Sequence, residues 1–142
     1  MKILVAVDGS EQSLAAVAAL ADRIAWFRDA PSVTLLHAHV PIPYKAAAAW
    51  VGREVIAKYY AEESDAALAG AVKLLEERGV AFAVEKCVGE PAQEIVRCAT
   101  AGKFDLIAMG THGQTALANL VLGSVASRVL ALSTVPVLFM RH

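Results

Sequence analysis

Apolar positions along the chain fall into two alternating regimes. Short unbroken runs, from Lys2 to Val7, Val33 to Val40, Asp105 to Met109 and Val135 to Met140, read as strands of a parallel sheet covered on both faces. Phe82 to Val88 is also strand-like but carries Glu85 and Lys86, and charges inside a strand suit a sheet edge. Between the runs, apolar residues recur at three- and four-residue steps. Ser10 is a good N-cap for a first helix bearing Leu14, Val17, Ala18, Ala21 and Ile24, closed by Pro31. After a loop marked by Pro41 and Pro43, a helical pattern runs from Trp50 to Arg78, as one helix or two with a kink. Its apolar side holds Val51, Val55, Tyr59, Ala67, Ala71, Leu74 and Leu75. Tyr59 and Tyr60 are expected in its core, and Gly79 as its left-handed cap. The alanines Ala46 to Ala49 with Trp50 read as the frayed start of this helix, with a lid as the alternative. Pro91 opens a third helix through Ile95, Val96, Cys98 and Ala99 to Gly102, and a last helix begins near Ser124 and ends near Leu132.

Strand and helix thus alternate four times before a closing strand. That order predicts an α/β fold: a doubly wound five-stranded parallel sheet with helices on both faces and right-handed crossovers. The 142 residues suit one domain, 1–142.

Charge narrows the function. Thirteen basic against fourteen acidic side chains give a net charge of −1 with few aromatics, so nothing attracts nucleic acid. The segment after Met1-Lys2 meets Asp8 too soon for a signal peptide, and no apolar run reaches spanning length; a soluble cytoplasmic protein with no membrane partner is expected. Cys87 and Cys98, at a spacing that fits no zinc or thioredoxin pattern, are expected as two free buried thiols. A hydrophobic content of 57% suits a doubly covered sheet, a subunit contact, or both.

The chemistry concentrates at two strand ends. Gly110-x2-Gly113-x9-Gly123-Ser124 lies between a strand and a helix. Glycines let backbone approach an anion and a helix start offers unpaired N–H groups, so this is a phosphate site on paper. The spacing is neither GxxxxGK[ST] nor GxGxxG. In an open sheet the ligand crevice lies at the carboxyl ends where strand order reverses. With the order 3-2-1-4-5 that point falls between strands one and four, and brings Asp8-Gly9-Ser10 opposite Gly110-Thr111-His112-Gly113. Asp8 reads either as a turn residue or as a ligand and candidate metal or water holder. His112 is a loop side chain or modest phosphate contact. His37 and His39 share a strand face, a two-ligand geometry that lacks a third ligand.

On these residues the chain resembles the universal stress proteins. The likeness runs from Val5-Ala6-Val7-Asp8-Gly9-Ser10-Glu11 through Leu35-Leu36-His37 and the glycine pattern to Val135-Pro136-Val137-Leu138. It implies an adenine nucleotide alpha hydrolase-like sheet of order 3-2-1-4-5, a homodimer, a role in stress response, and ATP or another adenine nucleotide, AMP and cyclic AMP included, with Mg as companion to ATP. Carried over by position, Ala6 and Ala38 contact adenine through backbone groups and Asp8 lies beside the nucleoside. Met109 and Gly110 line base and ribose, with His112 nearby, and Gly113, Gly123, Ser124 and Val125 hold phosphate. Family members commonly have Arg or Lys where this chain has Gln114 and Asn119. Losing such a charged donor forfeits about 1.5 to 3 kcal/mol per contact and shifts preference toward a monophosphate or cyclic nucleotide. The apolar strand five, Val135, Pro136, Val137, Leu138, Phe139 and Met140, is expected at the other sheet edge, where Pro136 is tolerated, and is the expected dimer surface.

Three functions follow from this reading. The leading one is a regulatory nucleotide-binding module with at most slow ATP hydrolysis, since no P-loop lysine, arginine finger or nucleophile–base pair is evident. The others are an interaction protein with a vestigial site and a slow adenylyl- or phosphoryl-transfer enzyme. A phosphorylated receiver domain is disfavoured, because Val88-Gly89 stands where its acceptor Asp belongs.

Overall fold

The computed structural model describes residues 1–43, 52–112 and 122–140. Within them strands β1 (Lys2–Ala6), β2 (Ser32–His39), β3 (Phe82–Val88), β4 (Leu106–Gly110) and β5 (Val137–Met140) alternate with helices α1 (Glu11–Ala21), α2 (Arg53–Glu77), α3 (Pro91–Ala101) and α4 (Ser124–Leu132). Every pairing is parallel, in the order β3-β2-β1-β4-β5. The sheet order read from the sequence is therefore the one observed.

The unbroken apolar character of β1 follows from its central position. Ile3, Val5 and Val7 pack with Val17 and Leu20 of α1 and Leu68, Ala71 and Leu75 of α2. Leu4 and Ala6 point the other way, onto Ile95, Cys98 and Ala99 of α3 and Ala126 and Val129 of α4. Neither set of alternating positions faces water, so the strand has no polar side. The edge strand β3 differs: Val84 and Val88 are each 44% exposed, and charged residues between them cost little.

Helix details depart from the periodic reading. Helix α1 buries Ser13, Ala16, Val17, Leu20 and Ala21 rather than Leu14 and Ala18, because an alanine-rich helix offers several nearly equivalent faces. Ile24 lies beyond it, in a 3₁₀ turn from Ile24 to Trp26. Helix α2 is one continuous helix of 25 residues capped by Gly79 at φ 65°. At 1.5 Å per residue it spans about 37 Å, whereas the eight-residue β2 spans about 26 Å at 3.3 Å per residue. Only Ser64, Leu68, Ala71 and Leu75 are buried; the N-terminal turns overhang the sheet. Tyr59 and Tyr60 are accordingly not core residues. Tyr59 is 41% exposed, and both rings lie against His39, at centroid distances of 5.7 and 5.0 Å. The alanine tract Ala46 to Ala49, with Trp50 and Val51, lies outside the described residues.

β5 begins at Val137, two residues later than expected. Pro136 precedes it and still takes part in the ladder through its carbonyl, which accepts from Ile107 N at 2.9 Å. Among the described residues no helix is long and apolar enough to cross a membrane.

Candidate functional site

The site starts where β1 runs out of pairing. Val7 N donates to Leu36 O at 2.9 Å, and the buried His37 ring, through Nδ1, bonds Val7 O at 2.8 Å. A carbonyl only accepts, so Nδ1 carries the proton. The chain then turns sharply. Asp8 Oδ1 accepts from Ser10 N at 3.0 Å and Ser10 Oγ at 2.6 Å, while Ser10 Oγ accepts from Ser13 N at 3.1 Å. Turn and N-cap are therefore one network, and it holds the Asp8 carboxylate at the mouth of the sheet.

Gly9 makes the turn possible. Its φ is 79°, and a Cβ there would meet Ala67 Cα of α2 at 3.1 Å. Gly9→Ala is expected to cost about 1–2 kcal/mol from the left-handed backbone alone. Denaturant unfolding checks it: a loss well under 0.5 kcal/mol would mean that the turn relaxes freely.

Across the crevice, β4 ends at Gly110 and Thr111 O accepts from Gly123 N at 2.7 Å, which fastens the start of α4 to the end of β4. Gly123 caps α4 without a side-chain hydrogen bond. The first-turn N–H groups of α4 thus carry the positive end of the helix dipole toward the crevice. His112 Nδ1 lies 3.0 Å from Thr111 Oγ1.

These two ends border one cleft of about 770 Å³, within the usual range for small-molecule sites. Of the residues expected at a nucleotide site, Ala6, Asp8 and Ala38 line it from β1 and β2, Met109, Gly110 and His112 from β4, and Gly123, Ser124 and Val125 from α4. Gly113, with Gln114 and Asn119, lies outside the described residues. Ser13, Glu63, Ala67, Pro91 and Ile95 also line the cleft and were not foreseen. For Glu63 and Ala67 no local pattern was available, because they reach it where the middle of α2 passes the Gly9 turn. Pro91 and Ile95 open α3, and their place at the carboxyl end of β3 was the usable signal. No lysine or arginine is among the described lining residues, whereas Asp8 and Glu63 are.

His37 and His39 both line the cleft, with ring centroids 6.1 Å apart. Among the described residues the cluster of three or more metal-ligating side chains is elsewhere, at Cys87, Glu94 and Cys98, so the histidine pair has no third ligand there. The two thiols are free, as expected, but only Cys98 is buried; Cys87 is half-buried. Burial first, then Cys98 and Glu94, pushes the Cys87 thiol up to about 12.

The model of the universal stress protein family matches residues 1–141. The chain belongs to that family. Among its members, universal stress protein MJ0531 of Methanocaldococcus jannaschii is 40% identical over 140 residues, covering 99% of this chain and 81% of its own length. The solved universal stress protein MJ0577 of the same organism superposes with TM-score 0.77 at 30% identity, over 99% of this chain and 95% of that one. A universal stress protein solved in complex with cAMP superposes with TM-score 0.69 at 26% identity, over 99% and 97% of the two chains. The fold of this universal stress protein is thus shared along nearly its whole length.

Proposed function

We propose that this universal stress protein binds an adenine nucleotide in the cleft between β1 and β4 and acts as a regulatory module of stress response. One observation carries the reading: Asp8, Gly110 and Ser124, from segments about a hundred positions apart in sequence, border a single cleft. The complex of a 26%-identical family member with cAMP supports the same ligand class. The base would lie on the apolar floor of Ala6, Leu36 and Met109, the ribose beside Asp8, and the phosphate at Gly123, Ser124 and Val125.

The donor set fits an anion of low charge. Phosphate would meet backbone N–H groups, the Ser124 hydroxyl and a helix dipole rather than a cationic side chain, with Asp8 and Glu63 nearby. Cyclic AMP or AMP is therefore expected to bind more tightly than ATP without magnesium. With magnesium the ATP deficit should shrink, Asp8 being the candidate group to hold the metal or its water. Calorimetry with ATP, AMP and cyclic AMP, with and without magnesium, tests this; absence of saturable heat with all three would favour the interaction protein with a vestigial site. Steady-state nucleotide consumption near ~10 per second would instead mark an enzyme.

The same reading includes a homodimer through β5, in a cytoplasmic protein. β5 is an outer strand with Leu138 37% exposed, and an unpaired apolar edge favours pairing with a symmetry mate. Sedimentation velocity at micromolar concentration should show a dimer that Leu138→Glu converts to monomer. A monomeric wild type would rule this arrangement out.

A further inference from the structure

The sheet face that packs on α3 carries a second group of chemically active side chains, away from the cleft. Cys87 projects from the edge strand β3, and Glu94 and Cys98, one turn apart on α3, face it. The two Sγ atoms and a carboxylate oxygen of Glu94 all lie within 4.8 Å of one another. Glu85, two residues before Cys87, lies on the same side of β3. None of these residues lines the nucleotide cleft.

We propose that Cys87, Cys98 and Glu94 form a site for a thiophilic divalent cation of the zinc class, with Glu85 or a water as fourth ligand. Ligand atoms around tetrahedral zinc, at ~2.3 Å for sulfur and ~2.0–2.2 Å for oxygen, stand about 3.5–3.8 Å apart. The observed ligand atoms, all within 4.8 Å of one another, stand at most about an ångström beyond that spacing. Each coordinating thiol releases its proton to solvent on binding, and the cation supplies the compensating charge.

Two features favour a cation over a disulfide between the same sulfurs. The first is the carboxylates: Glu94 is held against the two thiols, and a disulfide has no use for it. Its side chain is only 18% exposed and lies over Gly89, where an added Cβ would stand 2.6 Å from Glu94 Cγ. The second is Arg97. Its guanidinium donates twice to Glu94 Oε2, at 3.0 and 2.6 Å, and also reaches Cys98 Sγ at 3.6 Å. By engaging Oε2 it orients the carboxylate as outer partners of metal ligands do.

Cobalt(II) titration of the full-length reduced protein tests the site. One equivalent is expected to bind with a thiolate charge-transfer band, to be displaced by zinc, and to raise the melting temperature. Cys87→Ser should abolish the band, Cys98→Ser likewise, and Glu94→Gln should weaken cobalt binding at least tenfold. Circular dichroism melting confirms that each variant is folded; should the buried Cys98→Ser fail, the half-buried Cys87→Ser carries the test. A folded wild type without the band, a band that persists in Cys87→Ser, or a Cys87–Cys98 disulfide forming readily in protein that binds no cobalt would each overturn the proposal. Nucleotide binding enters none of these readouts, so failure here is distinct from failure of the cleft reading.

Discussion

Asp8→Ala is expected to weaken adenine-nucleotide binding by about 10- to 150-fold, the equivalent of the ~1.5–3 kcal/mol that a hydrogen bond to a charged group contributes. The carboxylate has two separable tasks. Oδ1 accepts from Ser10 N and Oγ and so braces the turn; the group also borders the cleft, where the ribose hydroxyls would meet it. Asp8→Asn keeps an oxygen acceptor for Ser10 but removes the charge. It should therefore retain nearly all of the stability and lose a part of the affinity, whereas the alanine variant loses both, the stability by about 1 kcal/mol for the lost hydrogen bonds to Ser10. Calorimetric affinities and melting temperatures for the pair of variants check this. Unchanged affinity in a folded Asp8→Ala protein would remove Asp8 from the site and leave it a turn residue only.

Leu4→Ala should carry the largest stability loss, about 3–5 kcal/mol. Leu4 is completely buried in the central strand, in the core cluster that also holds Ile95 and Ala99 of α3 and Val129 of α4. Truncation there removes transfer free energy and leaves a cavity that a rigid parallel sheet collapses around poorly. Tyr59→Ala provides the contrast. Its ring is large but 41% exposed, and its ring partners are His39 and Tyr60, so a loss below about 1 kcal/mol is expected. Urea unfolding of both variants measures the difference. A larger loss at Tyr59 than at Leu4 would mean that the overhanging end of α2 is packed in solution.

How far each feature could be read ahead of the fold depended on the range of the interaction that produces it. Strand β1 was legible because five consecutive apolar residues have no alternative to a doubly covered position. The Ser10 cap was legible because its hydrogen bond spans three residues. The alternation of elements gave the parallel pairing, while the sheet order came from the resemblance, and it placed Asp8 opposite Gly110. Helix faces were read less well. At about 100° per residue Val55 and Tyr59 stand nearly opposite Leu68 and Leu75 on the helix, so the apolar positions of this segment do not form the single buried side expected of them. The buried Ser13 illustrates the same limit, since a serine adds no apolar signal to α1.

Most of what depends on separation in space was invisible along the chain. Glu63 and Ala67, beside the buried Ser64 and Leu68, reach the cleft because the middle of α2 packs against the Gly9 turn. Cys87 and Cys98, unremarkable by spacing, meet because α3 lies across the edge strand that precedes it. By itself, then, the sequence determined the elements, their parallel pairing and the two strand ends that carry glycine, aspartate and hydroxyl chemistry, since each rests on local sterics, hydrogen bonds over a few residues and the need to bury apolar runs. The tertiary structure alone decided which side chains wall the cleft and which thiols and carboxylate stand together, because those depend on relative element lengths and packing angles that no local pattern encodes.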